Sequence, residues 1–300
     1  MTLRPVAAFV LVSALALLAA PAGARESLRL PWVFSDQPDL CADFSFSAGH
    51  AGKTAIAIDL GGKFANFGLP ARAARAPRLD ITCEFTAPSE LEKDTSRLKE
   101  VLDLADVLRD YGLTFSPSRF GESSKLVYKA ELATDLAPGD YNLRITLSDP
   151  ALEIESRRTL HLIVPSIATG SWQVGDLKFI TAVGQTLGKG GRKERVLDPN
   201  PWRQVGGGLG LDLLVAYTDS GTRPPGALER TVRIRRLRGD APPVWQDSTP
   251  PPPKRADQVW VLRVPERTLK RWQGGVYLLE VEERCGGTLA TAAKTFEVLP

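Results

Sequence analysis

Apolar and polar residues alternate along most of this chain in short stretches with a period of two. Lys125 to Leu132, Tyr141 to Leu147, Thr159 to Val164, Thr231 to Leu237, Val259 to Val264 and Tyr277 to Val281 all follow that pattern and favour β-branched and aromatic side chains. Alternation of this kind gives a strand one buried face and one wet face. The 23 prolines and 26 glycines are spread between such stretches, which punctuates the chain into many short elements and disfavours long helices. An antiparallel β-sandwich is the architecture this predicts.

The chain also matches itself. Gly139-Asp140-Tyr141-Asn142-Leu143-Arg144-Ile145 aligns with Gly275-Val276-Tyr277-Leu278-Leu279-Glu280-Val281 at a shift of 136, and the same shift carries Thr159, Leu160 and Leu162 onto Thr295, Phe296 and Val298. Leu79 to Thr86 aligns with Leu211 to Thr218 at a shift of 132, and Asp39-Leu40 with Asp176-Leu177. Repeated blocks in one order predict two copies of one unit. We place them at 27–165 and 171–300, joined by the linker from Val164-Pro165-Ser166 to Gly170. The run Leu136-Ala137-Pro138-Gly139-Asp140-Tyr141 resembles the tyrosine corner of immunoglobulin-like sandwiches, and Tyr277 holds the equivalent place. The fold class expected is therefore all-β: two tandem immunoglobulin-like or fibronectin-like antiparallel sandwiches.

One amphipathic helix, 89–111, is expected inside the first copy. Ser89 and Glu92 have capping-box spacing, Leu98, Val101, Leu102, Ala105 and Leu108 share one face, and Gly112 supplies the stop. Such a stripe suits a helix docked over the open end of a sandwich.

The start of the chain has the layout of a secretory signal. Arg4 precedes an apolar run from Val6 to Ala20, and Ala22-Gly23-Ala24 offers a small-residue cleavage site. We expect 1–24 to be removed after Ala24, leaving a periplasmic or secreted chain. The run is shorter than the ~20 residues a membrane-crossing helix needs, and no later segment approaches that length, so no transmembrane segment is expected in the mature chain.

Hydrophobic residues make up 43% and charged residues 24%, which excludes a disordered or coiled-coil chain. The charge is unevenly divided. Residues 25–165 carry 17 Lys+Arg against 21 Asp+Glu, a net of −4, whereas 166–300 carry 20 against 14, a net of +6. Opposite signs can hold two domains in a preferred orientation or give the second an anionic partner. Cys41, Cys83 and Cys285 form an odd set. Cys41 and Cys83 are the pair placed for a disulfide within one domain. Strand parity opposes it, because Cys41 points away from the Leu40, Ala42 and Phe44 face while Cys83 shares the inward face of Leu79, Ile81 and Phe85.

Asp176-Leu177, Asp198-Pro199-Asn200-Pro201-Trp202-Arg203, Leu211 to Tyr217 and Gly275-x-Tyr277-x-Leu279-x-Val281 together make the second half similar to the β-rich region that accompanies the GWxTD domain in exported bacterial proteins. No Gly-Trp-x-Thr-Asp segment is present. The resemblance implies an envelope-associated bacterial protein and transfers no catalytic role.

Candidate chemistry is sparse. The two histidines, His50 and His161, are isolated from each other, so no histidine-rich metal site is expected. Gly184-Gln185-Thr186-Leu187-Gly188-Lys189-Gly190 imitates a phosphate loop but is one residue short and lacks the magnesium-binding hydroxyl. Gly206 to Gly210 precedes a strand, whereas a dinucleotide loop follows one. Asp219-Ser220-Gly221-Thr222 looks like the active-site loop of aspartic proteases, which would need a second carboxylate from a dimer. A turn explains it equally. Arg230, Arg233, Arg235, Arg236 and Arg238 crowd the strand 230–238. They give a candidate anion- or partner-binding surface, or else a charged edge strand that resists aggregation. Pro250 to Pro253 reads as a stiff loop. The expectation is a non-enzymatic module with no cofactor or metal that binds an envelope or extracellular protein, or an anionic surface, and no nucleic acid.

Overall fold

The computed structural model describes residues 29–34, 38–64, 67, 69, 73–87, 96–117, 120, 127–167, 170, 172–187, 193–206, 212–237, 242–248 and 259–300. Residues 1–24, which carry the expected secretory signal, Ser89 to Glu92, Arg238 and Pro250 to Pro253 lie outside those residues, as do Gly188 to Gly190 and Gly207 to Gly210. No helix among the described residues is long and apolar enough to cross a membrane.

The first lobe consists of β1 (Trp32–Phe34), β2 (Leu40–Ala48), β3 (Thr54–Lys63), β4 (Arg78–Thr86), β5 (Ser96–Asp103), β6 (Val127–Leu136), β7 (Gly139–Asp149) and β8 (Ile154–Val164). They pair antiparallel into two sheets, ordered β1-β2-β3-β6 and β5-β4-β7-β8. Between the sheets lies a core that includes Phe44, Ile58, Phe85, Leu143 and Leu162.

The second lobe contains β9 (Gln173–Val174), β10 (Lys178–Leu187), β11 (Lys193–Pro199), β12 (Gln204–Gly206), β13 (Leu213–Tyr217), β14 (Asp219–Ser220), β15 (Glu229–Arg236), β16 (Trp245–Asp247), β17 (Trp260–Val264), β18 (Gly275–Cys285) and β19 (Thr288–Leu299). Its sheets are ordered β11-β10-β13-β17 and β12-β19-β18-β15-β16, with β14 paired to β9. A separate core holds Phe179, Val215, Ile234, Tyr277 and Phe296.

The two lobes share one strand plan. The trio β2-β3-β6 corresponds to β10-β13-β17, and the four-strand sheet β5-β4-β7-β8 to β16-β15-β18-β19. Both are antiparallel β-sandwiches, as the alternation predicted. Each carries its tyrosine corner: Tyr141 donates to the Ala137 carbonyl at 3.0 Å, and Tyr277 donates to the Gln273 carbonyl at 2.7 Å. The second lobe adds β12, which runs parallel to β19 and covers its outer edge.

One block of the sequence repeat is corrected. β4, holding Leu79 to Thr86, sits between β5 and β7, whereas β13 sits between β10 and β17, which is the place of β3. The match at shift 132 joined strands of different position, because amphipathic strands of similar length look alike whichever sheet they enter. The blocks at shift 136 do join equivalent strands, β7 with β18 and β8 with β19.

The helix is also shorter than expected. Ser96–Asp103 is strand β5, and only Leu104–Asp110, here α1, is helical. Leu98 and Leu102 are four residues apart, a spacing that suits one helix face and one strand face equally. In the structure they lie opposite Cys83 and Leu79. The helix starts at Asp103, whose carboxylate accepts from the Ala105 amide at 2.9 Å. It stops where expected, at Gly112 with φ +71°. There the Leu113 amide reaches the Leu108 carbonyl at 2.9 Å and the Gly112 amide reaches Arg109 at 2.8 Å, the paired bonds of a glycine-terminated helix.

Candidate functional site

In β2, β3 and β6 one parity feeds the first core, through Phe44 and Phe46, Ile56 and Ile58, Ala130 and Leu132. The other parity faces the second lobe. The antiparallel register stacks these residues in rows: Cys41 with Gly61 and Lys129, Asp43 with Asp59 and Glu131, Ser45 with Ala57 and Ala133, and Ser47 with Ala55 and Asp135. The second lobe clamps the first two rows and leaves the last two open.

The clamp on the first row is the segment from Asp198 to Arg203. Pro201 and Trp202 sit over Gly61, where a Cβ would stand 2.7 Å from the Trp202 ring and 2.8 Å from the Pro201 ring. Only a residue without a side chain fits there. Beside it the Cys41 thiol donates to the Pro201 carbonyl at 3.1 Å, and Lys129 donates to both Asp198 oxygens at 2.9 and 2.8 Å.

The acidic row is held by three cations. Arg203 forms a two-pronged pair with Asp43, its Nε donating to Oδ2 at 2.8 Å and its Nη2 to Oδ1. It also donates to the Arg29 and Thr295 carbonyls at 2.9 and 3.2 Å. Lys294 of β19 points inward in its own lobe and is fully buried. Its Nζ crosses to the Phe44 carbonyl at 2.8 Å and to Ser45 Oγ at 3.2 Å, with Asp176 at 3.3 Å and Asp43 at 3.8 Å. Asp176 in turn accepts from the Phe46 amide at 3.2 Å. Lys178 serves two carboxylates, Asp59 at 3.1 Å and Glu131 at 2.8 Å.

These contacts set the acidities. Burial alone would push the Asp43 carboxyl up, but the Arg203 guanidinium and the Lys294 ammonium hold it below the ordinary carboxylate range. Asp59 goes the other way, to about 6, because burial and the neighbouring Asp43 and Glu131 carboxylates outweigh its share of Lys178. Burial would lower Lys178, yet its two carboxylates raise it and keep it charged.

The two open rows form the floor of a cleft of about 590 Å3 between the lobes. Ser45, Ser47, Ala55, Ala57 and Ala133 make that floor flat, while Lys178, Tyr217 and Val259 contribute to the opposite wall. Tyr217 is fixed from behind, since its hydroxyl donates to Glu283 at 3.0 Å and accepts from Arg230 at 3.3 Å. Glu283 is fully buried.

The residues singled out from the sequence lie elsewhere. Arg233 pairs with Glu282 and Arg235 with Glu280, each at 3.2 Å across the β15–β18 ladder, and Arg236 donates to Gln273 Oε1 at 2.6 Å and to the Gly274 carbonyl at 2.8 Å. The arginine strand thus faces a strand of glutamates that already occupies its forks. Asp219 forms an ion pair with Arg223 at 2.8 Å. His161 stands on the exposed face of β8, 3.5 Å from Asp140. The Cys41–Cys83 bridge is corrected: all three cysteines are free. Cys41 leaves the outer face of one sheet toward Pro201, whereas Cys83 enters the core from the opposite sheet, as parity indicated. No group of three or more His, Cys, Asp or Glu side chains placed to hold a metal ion occurs among the described residues.

Comparison with protein-family models and with curated proteins finds no match to this chain. Sequence reasoning missed Asp59 and Lys178, which look like ordinary outward strand positions, and Lys294, a lone cation on the inward parity of β19. The readable signals were the opposite net charges of the halves and the Asp-Pro-Asn-Pro-Trp-Arg run, whose two prolines and tryptophan announce a fixed turn with a large apolar face.

Proposed function

We propose that this chain is a non-catalytic, exported interaction module of the bacterial cell envelope that offers its interlobe cleft to an envelope or extracellular protein. The observation that carries this reading is the pairing of the cleft with the clamp beside it. The sheet that forms the cleft floor continues, row by row, into buried ion pairs that fix the lobes, so the cleft keeps its shape before any partner arrives. Preorganised concave surfaces lose less freedom on binding than mobile ones. The signal layout and the likeness to the region accompanying GWxTD domains support export.

A photo-crosslinking amino acid placed at Ala55 or Ala133 in the full-length chain, expressed in bacteria, tests the proposal. Discrete adducts from these positions, absent when the same group is placed at Thr159 on the far sheet, are expected, together with a mature N-terminus at Arg25 by mass spectrometry. Adducts arising only from Thr159, or a chain retained in the cytoplasm, would overturn it.

A further inference from the structure

Asp59 occupies an unusual place in the seam. It is 2% exposed, and it is the middle carboxylate of a row, with Asp43 opposite it on β2 and Glu131 opposite it on β6. Its Oδ1 has an ion pair with Lys178 but no aligned hydrogen bond. Every element packed on the seam contributes charge. β2 brings Asp43, β6 brings Lys129 and Glu131, the segment ahead of β10 brings Asp176, β10 brings Lys178, β11 brings Asp198, the following turn brings Arg203, and β19 brings Lys294. Beyond Cys41, Asp39 and Lys63 balance each other, and the Arg29 guanidinium lies over the Trp32 ring at 4.7 Å. With Asp39, Lys63 and Arg29 left aside, Asp59 is ringed among the described residues by four other carboxylates and four cations, so its own charge is the unmatched one in a setting where water screens little.

We propose that the seam is a pH-sensitive latch: one proton taken up at Asp59 balances its charge and tightens the two lobes against each other. The direction follows from proton linkage. With the lobes docked Asp59 binds its proton near pH 6, whereas a solvated aspartate does so near ~3.9. Between those limits the docked state holds a proton the separated state has lost. Stability therefore falls as pH rises toward 6 and is flat above it, and acidification from pH 7.5 to pH 5 strengthens docking about tenfold. Asp43, held below the ordinary range, withdraws its own contribution only as the pH falls through the ordinary aspartate range near ~3.9 and below, so pH 5 reads the gain at Asp59 before that loss sets in.

Urea unfolding of the full chain at pH 7.5 and pH 5 tests this, with Asp59→Asn as the variant that mimics the protonated side chain. The unfolding constant of the wild type is expected to fall about tenfold at pH 5, and Asp59→Asn is expected to match or exceed wild-type stability at pH 7.5 and to lose the tenfold gain. A 13C-carboxyl titration of the wild type should show one aspartate with a midpoint near 6. Asp59→Asn keeping the full gain, losing stability at pH 7.5 as a broken ion pair would, or every aspartate titrating below about 4.5 would each overturn the proposal.

Discussion

The pair of Arg203 with Asp43 offers the most direct test of how the lobes are held. Both side chains are nearly sealed from solvent, at 3% and 2% exposure. Replacing Arg203 with Met keeps a long apolar stem and the same backbone demand at φ +48°, but it leaves Asp43 with Lys294 at 3.8 Å as its one cation and the Phe44 amide at 2.7 Å as its one aligned donor. Removing one partner of a buried ion pair costs about 3–5 kcal/mol, and the two carbonyls that also lose a donor, Arg29 and Thr295, add about 1 kcal/mol or more. Against a typical total of ~5–15 kcal/mol, Arg203→Met should remove a third or more of the stability. Asp43→Asn should cost about 3 kcal/mol, since it strands the guanidinium instead. Once either charge is gone the other is a liability, so the double variant should be less destabilised than the sum by about 2 kcal/mol. Urea unfolding followed by tryptophan fluorescence measures all four corners of the cycle. An Arg203→Met cost below about 1 kcal/mol, or strict additivity, would refute a seam governed by this pair.

Other expectations concern sites away from that pair. Gly61→Val should push Pro201 and Trp202 off the sheet and cost about 1–3 kcal/mol, read as a lower thermal midpoint and a shift in tryptophan emission; an unchanged midpoint would mean the clasp is not seated there. Tyr141→Phe and Tyr277→Phe should each cost about 1 kcal/mol by losing one corner hydrogen bond, and equal losses in the two lobes would confirm that the corners are equivalent. Arg233→Ala and Arg235→Ala should each change stability by less than about 1 kcal/mol, as exposed ion pairs do; larger losses in the same titration would point to a role beyond the ladder. None of the three thiols should react with an aromatic disulfide reagent before unfolding, because Cys41, Cys83 and Cys285 are buried and burial pushes the Cys83 thiol up to about 12. A fast thiol in the native chain would contradict this packing.

The sequence made some of this arrangement legible and hid the rest. Strand parity placed Cys41 outward and Cys83 inward, and the Tyr141 and Tyr277 blocks found equivalent strands, since a sheet obliges alternate side chains to face opposite ways. The stretch from Leu98 to Asp103 is a strand where the sequence predicts helix, because its leucine spacing serves both periods until tertiary packing chooses, whereas Leu104 to Leu108 is helical as expected. The clamp was visible only as a sum of charges and as a turn built from two prolines and a tryptophan. Asp43 and Arg203 are 160 residues apart, and nothing local to either announces the other. Asp59 reads as an ordinary outward residue of an amphipathic strand, and its position between two further carboxylates depends on a register that only the folded sheet supplies.

Lys294 has a consequence for how this pair of sandwiches can be inherited. Its ammonium reaches a backbone carbonyl, a serine hydroxyl and a carboxylate of the neighbouring half, which means the second half cut out alone would keep only Asp176 to answer it. The two lobes therefore do not behave as interchangeable beads. A graft that swapped one of them for a foreign sandwich would have to import matching carboxylates and a bare backbone patch for the tryptophan, or fail to assemble.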